Sequence, residues 1–152
     1  GWENGSVIGT EISSTARHVP DTVQLDFHEV RSEWLARADF VYSNSLDHSF
    51  DPKLALRQWM RCLHSHGVLL VEHCSAHTEL GLQGSDIFGA SFAEYLRLLL
   101  SLDIVDVVEV LRAPGRHWYE FGCRCIVAVH RRSRLQVVQP FHESPGPRLL
   151  QV

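Results

Sequence analysis

One short segment of the sequence changes abruptly from apolar to polar and ionisable side chains. The segment DFVYSNSLDH (39–48) begins as an apolar run and ends with Asn44, Ser45, Asp47 and His48. Serine and asparagine donate and accept hydrogen bonds, and histidine gains or loses a proton near neutral pH. Asp47 and His48 therefore form a candidate acid–base pair, and Asn44 and Ser45 are candidate polar contacts for a ligand.

Two other apolar runs also carry an acidic residue at or near their end. The run SVIGTEI contains Glu11, and the run TVQLDF ends with Asp26 and Phe27. A carboxylate has two oxygens and can accept hydrogen bonds from two neighbouring hydroxyls. In the structural alternative, Glu11 caps the next turn near Ser13, Asp26 starts a turn and Phe27 packs in the core.

The polar residues after the third apolar run have structural alternatives too. Asn44 and Ser45 can hydrogen-bond to nearby backbone in a turn, and His48 can be a solvated loop histidine. Asp51, followed by Pro52, has the pattern of a helix N-cap with proline at the first helical position. Because Asp51 already caps the next helix, Asn44 and Ser45 are not needed for capping, which favours a pocket.

The elements that must position these residues alternate between strands and helices. Apolar runs predict strands, and segments with helical spacing of apolar residues predict helices. The pattern predicts an α/β fold with a mainly parallel sheet, helices on both faces and an antiparallel last strand pair. Ligands of such sheets bind at the carboxyl ends of the strands. The predicted strands are 6–12, 22–27, 39–45, 68–71, 104–111 and 123–130, and the predicted helices run from Asp51 to a stop at Gly67 and over 91–102.

Length and composition predict one globular domain. The chain has 152 residues, of which 45% are hydrophobic and 21% charged, with a net charge of -4. This charge does not favour nucleic-acid binding, and no apolar stretch reaches the length of a membrane span. The four cysteines lack the density of a disulfide framework, which favours a cytoplasmic protein. We expect a domain over 1–130 and a tail or arm over 131–152, where periodicity is absent.

The order of these motifs resembles the class I S-adenosylmethionine-dependent methyltransferases, which have a Rossmann-like fold. VIGTEI resembles the family's second strand, VQLDF its third, DFVYSNSLDH its fourth and LHSHGVLLVEH its fifth. The resemblance implies that Glu11 and the adjacent Ile12 contact the cofactor ribose. It also implies that Asp26 binds the adenine amino group and that Phe27 covers the adenine ring.

The resemblance implies a role for the fourth-strand loop as well. Asn44 and Ser45 would line the methionine part of S-adenosylmethionine, and Asp47 or His48 would face a small or unidentified methyl acceptor. A base is needed only if the acceptor must lose a proton, since alignment can do much of the work.

The family's first strand and its glycine-rich turn have no counterpart before VIGTEI. The sequence contains no G-x-G, and only GWENGS precedes or overlaps this run. The missing strand would be central, between the second and fourth strands. Three explanations stay open: the chain is a fragment, its first two strands pair directly with the fourth-strand segment, or another subunit fills the gap in a homo-oligomer.

Two rival functions remain at this point. A non-catalytic domain of the same fold, acting in partner binding or self-assembly, is favoured by the absent glycine turn. A metal-dependent hydrolase would use rim histidines such as His48, His73 and His77. Because no zinc-ligand spacing is present, the sequence predicts no metal site.

Overall fold

The computed structural model describes residues 6–74, 78, 86–112, 124–130 and 149–151. These residues form one seven-stranded sheet, two α-helices and three short 3₁₀ turns. The strands are β1 (Val7–Glu11), β2 (Thr22–Gln24), β3 (Ala38–Ser43), β4 (Leu63–His73), β5 (Val105–Arg112), β6 (Arg124–His130) and β7 (Leu149–Gln151). The helices are α1 (Pro52–Cys62) and α2 (Phe92–Leu100), and the 3₁₀ turns are Ser14–His18, Ser32–Trp34 and Leu46–His48.

The strand order is β2-β1-β7-β3-β4-β6-β5. The first five strands in this order run parallel to their neighbours, whereas β6 is antiparallel to both β4 and β5. The α/β fold, the mainly parallel sheet and the antiparallel β5–β6 pair predicted from the sequence are therefore confirmed.

Strand β7 occupies the central position that the sequence left without a strand. Its residue Leu150 is paired in parallel register with Ile8 of β1 on one side and Val41 of β3 on the other. The expectation that the first two strands pair directly with the fourth-strand segment is wrong, because β7 separates β1 from β3. A strand from the segment 131–152, predicted as a tail or arm, is thus part of the sheet.

Helix α1 begins as predicted but ends earlier. The Asp51 side chain accepts a hydrogen bond from the Leu54 backbone N–H at 3.0 Å, and Pro52 is the first helical residue. The helix ends at Cys62 and β4 begins at the next residue, so the predicted helix stop at Gly67 is wrong. Gly67 lies inside β4, where its missing side chain allows close approach to the backbone of Ala38.

Helix α2 confirms the second predicted helix. Ser91 and Glu94 form a capping box, in which each side chain bonds the backbone N–H of the other residue. Such reciprocal capping satisfies two backbone donors that would otherwise lack partners at a helix start. Tyr95 and Leu99, on the predicted apolar stripe, are buried.

One hydrophobic core joins both α-helices to one face of the sheet. Val41, Leu69 and Ala128 lie side by side on β3, β4 and β6 and are fully buried. Trp59 of α1 and Leu99 of α2 belong to the same cluster. Among the described residues, α-helical cover is therefore seen on this face only, although the sequence predicted it on both. No helix in the described part of the chain is long and apolar enough to cross a membrane.

Candidate functional site

The carboxyl ends of β1 and β2 lie next to each other. Glu11 is paired with Gln24 in parallel register, and the backbone N–H of Leu25 donates to the Glu11 carbonyl at 3.0 Å. The Gln24 side chain donates to the Ile12 carbonyl at 3.2 Å. Glu11 and Asp26 therefore emerge from adjacent strands at the same edge of the sheet.

Glu11 is exposed and holds the turn that follows it. Its Oε1 atom accepts a hydrogen bond from the Ser13 backbone N–H at 2.7 Å. The hydrogen bonds from the backbone and side chain of Ser13 lower the pKa of Glu11 from its usual value. The turn-capping role considered from the sequence is thus present, and it uses one of the two carboxylate oxygens. Ile12 beside it is 67% exposed and offers an apolar surface at the same edge.

Asp26 is linked to a buried histidine. Its Oδ1 atom accepts from the His28 backbone N–H at 2.9 Å and lies 2.6 Å from His28 Nδ1. On the other side of the ring, His28 Nε2 lies 2.7 Å from the Ser49 hydroxyl oxygen. Burial acts to raise the pKa of Asp26, but the hydrogen bonds from His28 and its charge outweigh burial and lower it.

The Asp26–His28–Ser49 chain has the residue order of a hydrolase triad but not its accessibility. Ser49 is only 1% exposed, and His28 is 5% exposed. A nucleophile must be able to reach a substrate, so this chain ties β2 to the segment before α1 and does not perform nucleophilic catalysis. Sequence reasoning missed His28 and Ser49, because nothing in the residue spacing links them.

Phe27 has contacts on its core side. Its ring lies 5.6 Å from the Trp59 ring in an edge-to-face arrangement and 4.7 Å from the His28 ring. The Trp59 indole N–H donates to the Phe27 carbonyl at 2.9 Å. Phe27 is half-buried, so the core role considered from the sequence is present and part of its surface stays accessible.

The polar residues after β3 form a local turn. The Ser45 backbone N–H donates to the Ser43 hydroxyl at 3.1 Å, and the Ser45 hydroxyl donates to Asn44 Oδ1 at 3.0 Å. Turn chemistry, the structural alternative, is therefore present here too. Asn44 is exposed, and β7 separates its strand from that of Glu11. Two strand spacings put these two strand ends roughly 10 Å apart.

Asp47 and His48 lie in the 3₁₀ turn after β3 and meet a third residue, Asp86. His48 Nδ1 is 3.4 Å from Asp86 Oδ1. One potential metal-ligand atom from each of the three side chains lies within 4.8 Å of the others. The Asp47 carbonyl accepts from the backbone N–H groups of Ile87 and Phe88, at 3.0 and 2.8 Å, and these two bonds fix the approach of Asp86. The sequence analysis did not identify Asp86 as a candidate site residue.

Tyr95 is a buried polar residue beside this cluster. Its ring stacks on that of Phe88 with centroids 5.5 Å apart. Burial, followed by the negative charges of Asp47, Cys74 and Asp86, raises the pKa of Tyr95. Within the described residues its hydroxyl has no hydrogen-bond partner, although the residue is only 1% exposed.

Glu72 and His73, an adjacent acid and histidine at the carboxyl end of β4, point to opposite faces of the sheet. Tyr42 donates to Glu72 Oε2 at 2.6 Å, whereas His73 Nε2 donates to the Ala90 carbonyl at 2.9 Å. They do not act as a pair, because adjacent strand residues face opposite sides. The Ala90 contact occupies Nε2 of His73, and His77 lies outside the described residues.

A shallow groove elsewhere on the surface contains none of the predicted site residues. It has a volume of about 370 Å³ and is lined by parts of α1 and α2, including Lys53, Glu94 and Arg97. Glu11 and Asp26 are not among its lining residues.

Comparison with solved structures shows which proteins share this fold. A chain from the complex between the Haloferax volcanii Trm112 methyltransferase activator and its methyltransferase aligns with a TM-score of 0.62 at 16% identity, covering 86% of this chain and 84% of that one. An S-adenosylmethionine-dependent methyltransferase from Listeria monocytogenes aligns at 0.61 and 12% identity, covering 82% and 80%. The N-methyltransferase NodS from Bradyrhizobium japonicum, solved with S-adenosyl-L-homocysteine, aligns at 0.57 and 15% identity, covering 81% and 65%.

These similarities were found by comparing structures. No protein-family model and no curated protein sequence matches the chain. At these identities the alignments establish the class I methyltransferase fold, as the sequence resemblance predicted.

Proposed function

We propose that this chain, which has the class I methyltransferase fold, binds S-adenosylmethionine and transfers its methyl group to a small acceptor. The observation that carries the proposal is the parallel alignment of β1 and β2, which brings the ends that bear Glu11 and Asp26 together. Ligands of parallel sheets bind at this edge.

The residues at the β1 and β2 ends fit the adenosine part of the cofactor. The lowered pKa of Glu11 keeps its exposed carboxylate ionised at neutral pH, as required for accepting hydrogen bonds from ribose hydroxyls. Ile12 supplies exposed apolar surface beside it. Asp26 would accept from the adenine amino group, and the accessible side of Phe27 would contact the ring.

The residues after β3 would bind the rest of the cofactor and the acceptor. Asn44 and Ser45 would contact the methionine part by hydrogen bonds. The bound cofactor supplies an electrophilic methyl group. Asp47 and His48 would hold the acceptor in line with that methyl group, and His48 would take a proton from an acceptor that must lose one. The same proposal places the protein in the cytoplasm, in agreement with Cys62 and Cys125, which form no disulfide bond within the described residues.

A second candidate is a non-catalytic domain that binds a protein partner. The observation that favours it is the absence of a G-x-G pattern, the mark of a glycine-rich turn, from the 152 residues of the sequence. Without such a turn, side chains limit how closely the backbone approaches a ligand. The Haloferax neighbour was solved together with an activator protein, so partner binding occurs among proteins of this fold.

Thermal unfolding with and without S-adenosylmethionine or S-adenosylhomocysteine tests the proposal. A ligand at 100 times its dissociation constant stabilises the folded state by about 2.7 kcal/mol. For a chain of this size we expect a rise in Tm of roughly 5–10 °C. Glu11→Ala should abolish the rise, whereas Glu109→Ala, an exposed acid on the distant edge strand β5, should keep it. No shift at millimolar cofactor would contradict the proposal and favour partner binding.

A further inference from the structure

Asp47, His48 and Asp86 form a cluster whose chemistry is that of a metal site. Two carboxylates and one imidazole combine oxygen ligands, which suit Mg²⁺ and Mn²⁺, with a nitrogen ligand, which suits Zn²⁺ and other transition metals. Ligand atoms about 2.2 Å from one ion lie at most about 4.4 Å apart. The ligand atoms of the cluster lie within 4.8 Å of one another, so they would have to approach by only a few tenths of an ångström to bind one ion.

The electrostatics of the cluster favour a cation. Asp47 is 6% exposed, and the Asp86 side chain is 15% exposed, so both carboxylates are largely removed from water. A divalent cation between these side chains would interact favourably with both carboxylates, and a buried charge is stabilised when it binds a metal.

A second and independent observation comes from Tyr95. This residue is 1% exposed, and among the described residues its hydroxyl has no hydrogen-bond partner. The ring packs on Phe88, whose backbone N–H donates to the Asp47 carbonyl at 2.8 Å. A buried hydroxyl normally has a hydrogen-bond partner, and a water bound to a cation at Asp47 and Asp86 would provide one.

We propose that Asp47, His48 and Asp86 bind one divalent cation of the Mn²⁺ class beside the buried Tyr95 hydroxyl. This differs from the sequence analysis, which predicted no metal and lacked Asp86. Cation binding does not depend on methyl transfer. Only its consequence rests on the proposed function: in the cation-bound state His48 would be a ligand and no longer the base, and the cation would attract an acceptor with an oxygen or nitrogen atom.

Titration of the chelator-treated 152-residue chain with Mn²⁺ tests this inference, with free Mn²⁺ measured by its electron paramagnetic resonance signal. We expect one bound ion per chain, with binding weakened at least tenfold in Asp86→Asn and in His48→Gln. The matched control Asp103→Asn removes an exposed acidic side chain after α2. This variant should bind Mn²⁺ with the same affinity as the unmodified chain. Circular dichroism identifies any variant that fails to fold, and the second variant then decides.

Two results would overturn the inference: no bound Mn²⁺ at millimolar concentration, or equal binding by both ligand variants and the control. The thermal shift with S-adenosylmethionine, measured without metal, separates the two proposals. A cofactor shift without Mn²⁺ binding removes only the cation site, and Mn²⁺ binding without a cofactor shift removes only the methyltransferase proposal.

Discussion

Gly67 of β4 lies so close to Ala38 of β3 that a Cβ atom at Gly67 would be 2.7 Å from the Ala38 carbonyl oxygen. The pairing of β3 with β4 is irregular here, with a register shift between Ala38 and Phe40. A backbone oxygen cannot move aside as a flexible side chain can. Glycine is therefore required at 67 for packing between strands, and not for ending a helix.

Gly67→Ala should destabilise the fold by about 1–3 kcal/mol, because the added methyl group overpacks the β3–β4 contact. Urea unfolding measures the effect. Gly9→Ala is the matched control: its Cβ would meet a side-chain atom, Thr22 Oγ1, at 3.3 Å. Its effect should be much smaller, and equal losses in the two variants would contradict the packing explanation.

Ser49→Ala should cost about 1–3 kcal/mol, because the substitution leaves the buried Nε2 of His28 without its 2.7 Å partner. Chemical denaturation checks this. Ser32→Ala, at an exposed serine whose hydroxyl donates to its neighbour Glu33, should change stability by less than about 0.5 kcal/mol. If Ser49→Ala were as mild as Ser32→Ala, the His28 chain would not stabilise the fold.

Asp26 should make stability depend on acid pH. Its pKa is lower in the folded chain than in the unfolded chain, where it is about 3.9. The ionised Asp26 therefore adds its full contribution to the free energy of unfolding above that pH, and this contribution is lost as the pH falls below it. The difference in free energy of unfolding between the unmodified chain and Asp26→Asn should narrow as the pH falls from about 5 to about 2. A difference that stays constant over this range, as expected for Asp103→Asn, would show that ionisation of Asp26 is unimportant.

Leu150→Pro should disrupt the centre of the sheet. Proline lacks the backbone N–H that a strand between two neighbours uses in its ladder. Hydrogen exchange of the Ile8 and Val41 amides, which lie beside β7, should accelerate strongly. Leu150→Ala keeps the N–H and should preserve most protection. Unchanged exchange in the proline variant would mean that β7 does not hold β1 and β3 together.

Cys62 should resist alkylation in the folded chain. Burial raises its pKa to about 11, two units above the ordinary value of 9.0. Only the thiolate reacts, so at pH 8 its labelling by iodoacetamide should be about 100-fold slower than that of an ordinary thiol. Peptide-resolved mass spectrometry follows Cys62 separately from the other cysteines. Rapid labelling that denaturant does not accelerate further would show that the thiol is accessible.

The alternation of apolar runs and helical segments was sufficient to predict the α/β class, α2 and the antiparallel β5–β6 pair. These features depend on local patterns, such as the capping box of Ser91 and Glu94 and the Asp51–Pro52 start of α1. Local sequence patterns are less reliable for locating the ends of helices and strands. The sequence pattern predicts a helix stop at Gly67 because glycine commonly ends helices. The structure shows that glycine is needed there for close contact with Ala38 on another strand.

The sequence by itself determined which residues follow strands β1, β2 and β3, because apolar patterning and the parallel-sheet rule depend only on order along the chain. Tertiary structure alone decided that β7 fills the gap between β1 and β3, and that Asp86 meets His48. These are contacts between segments far apart in sequence, and no local spacing encodes the packing that brings such segments together.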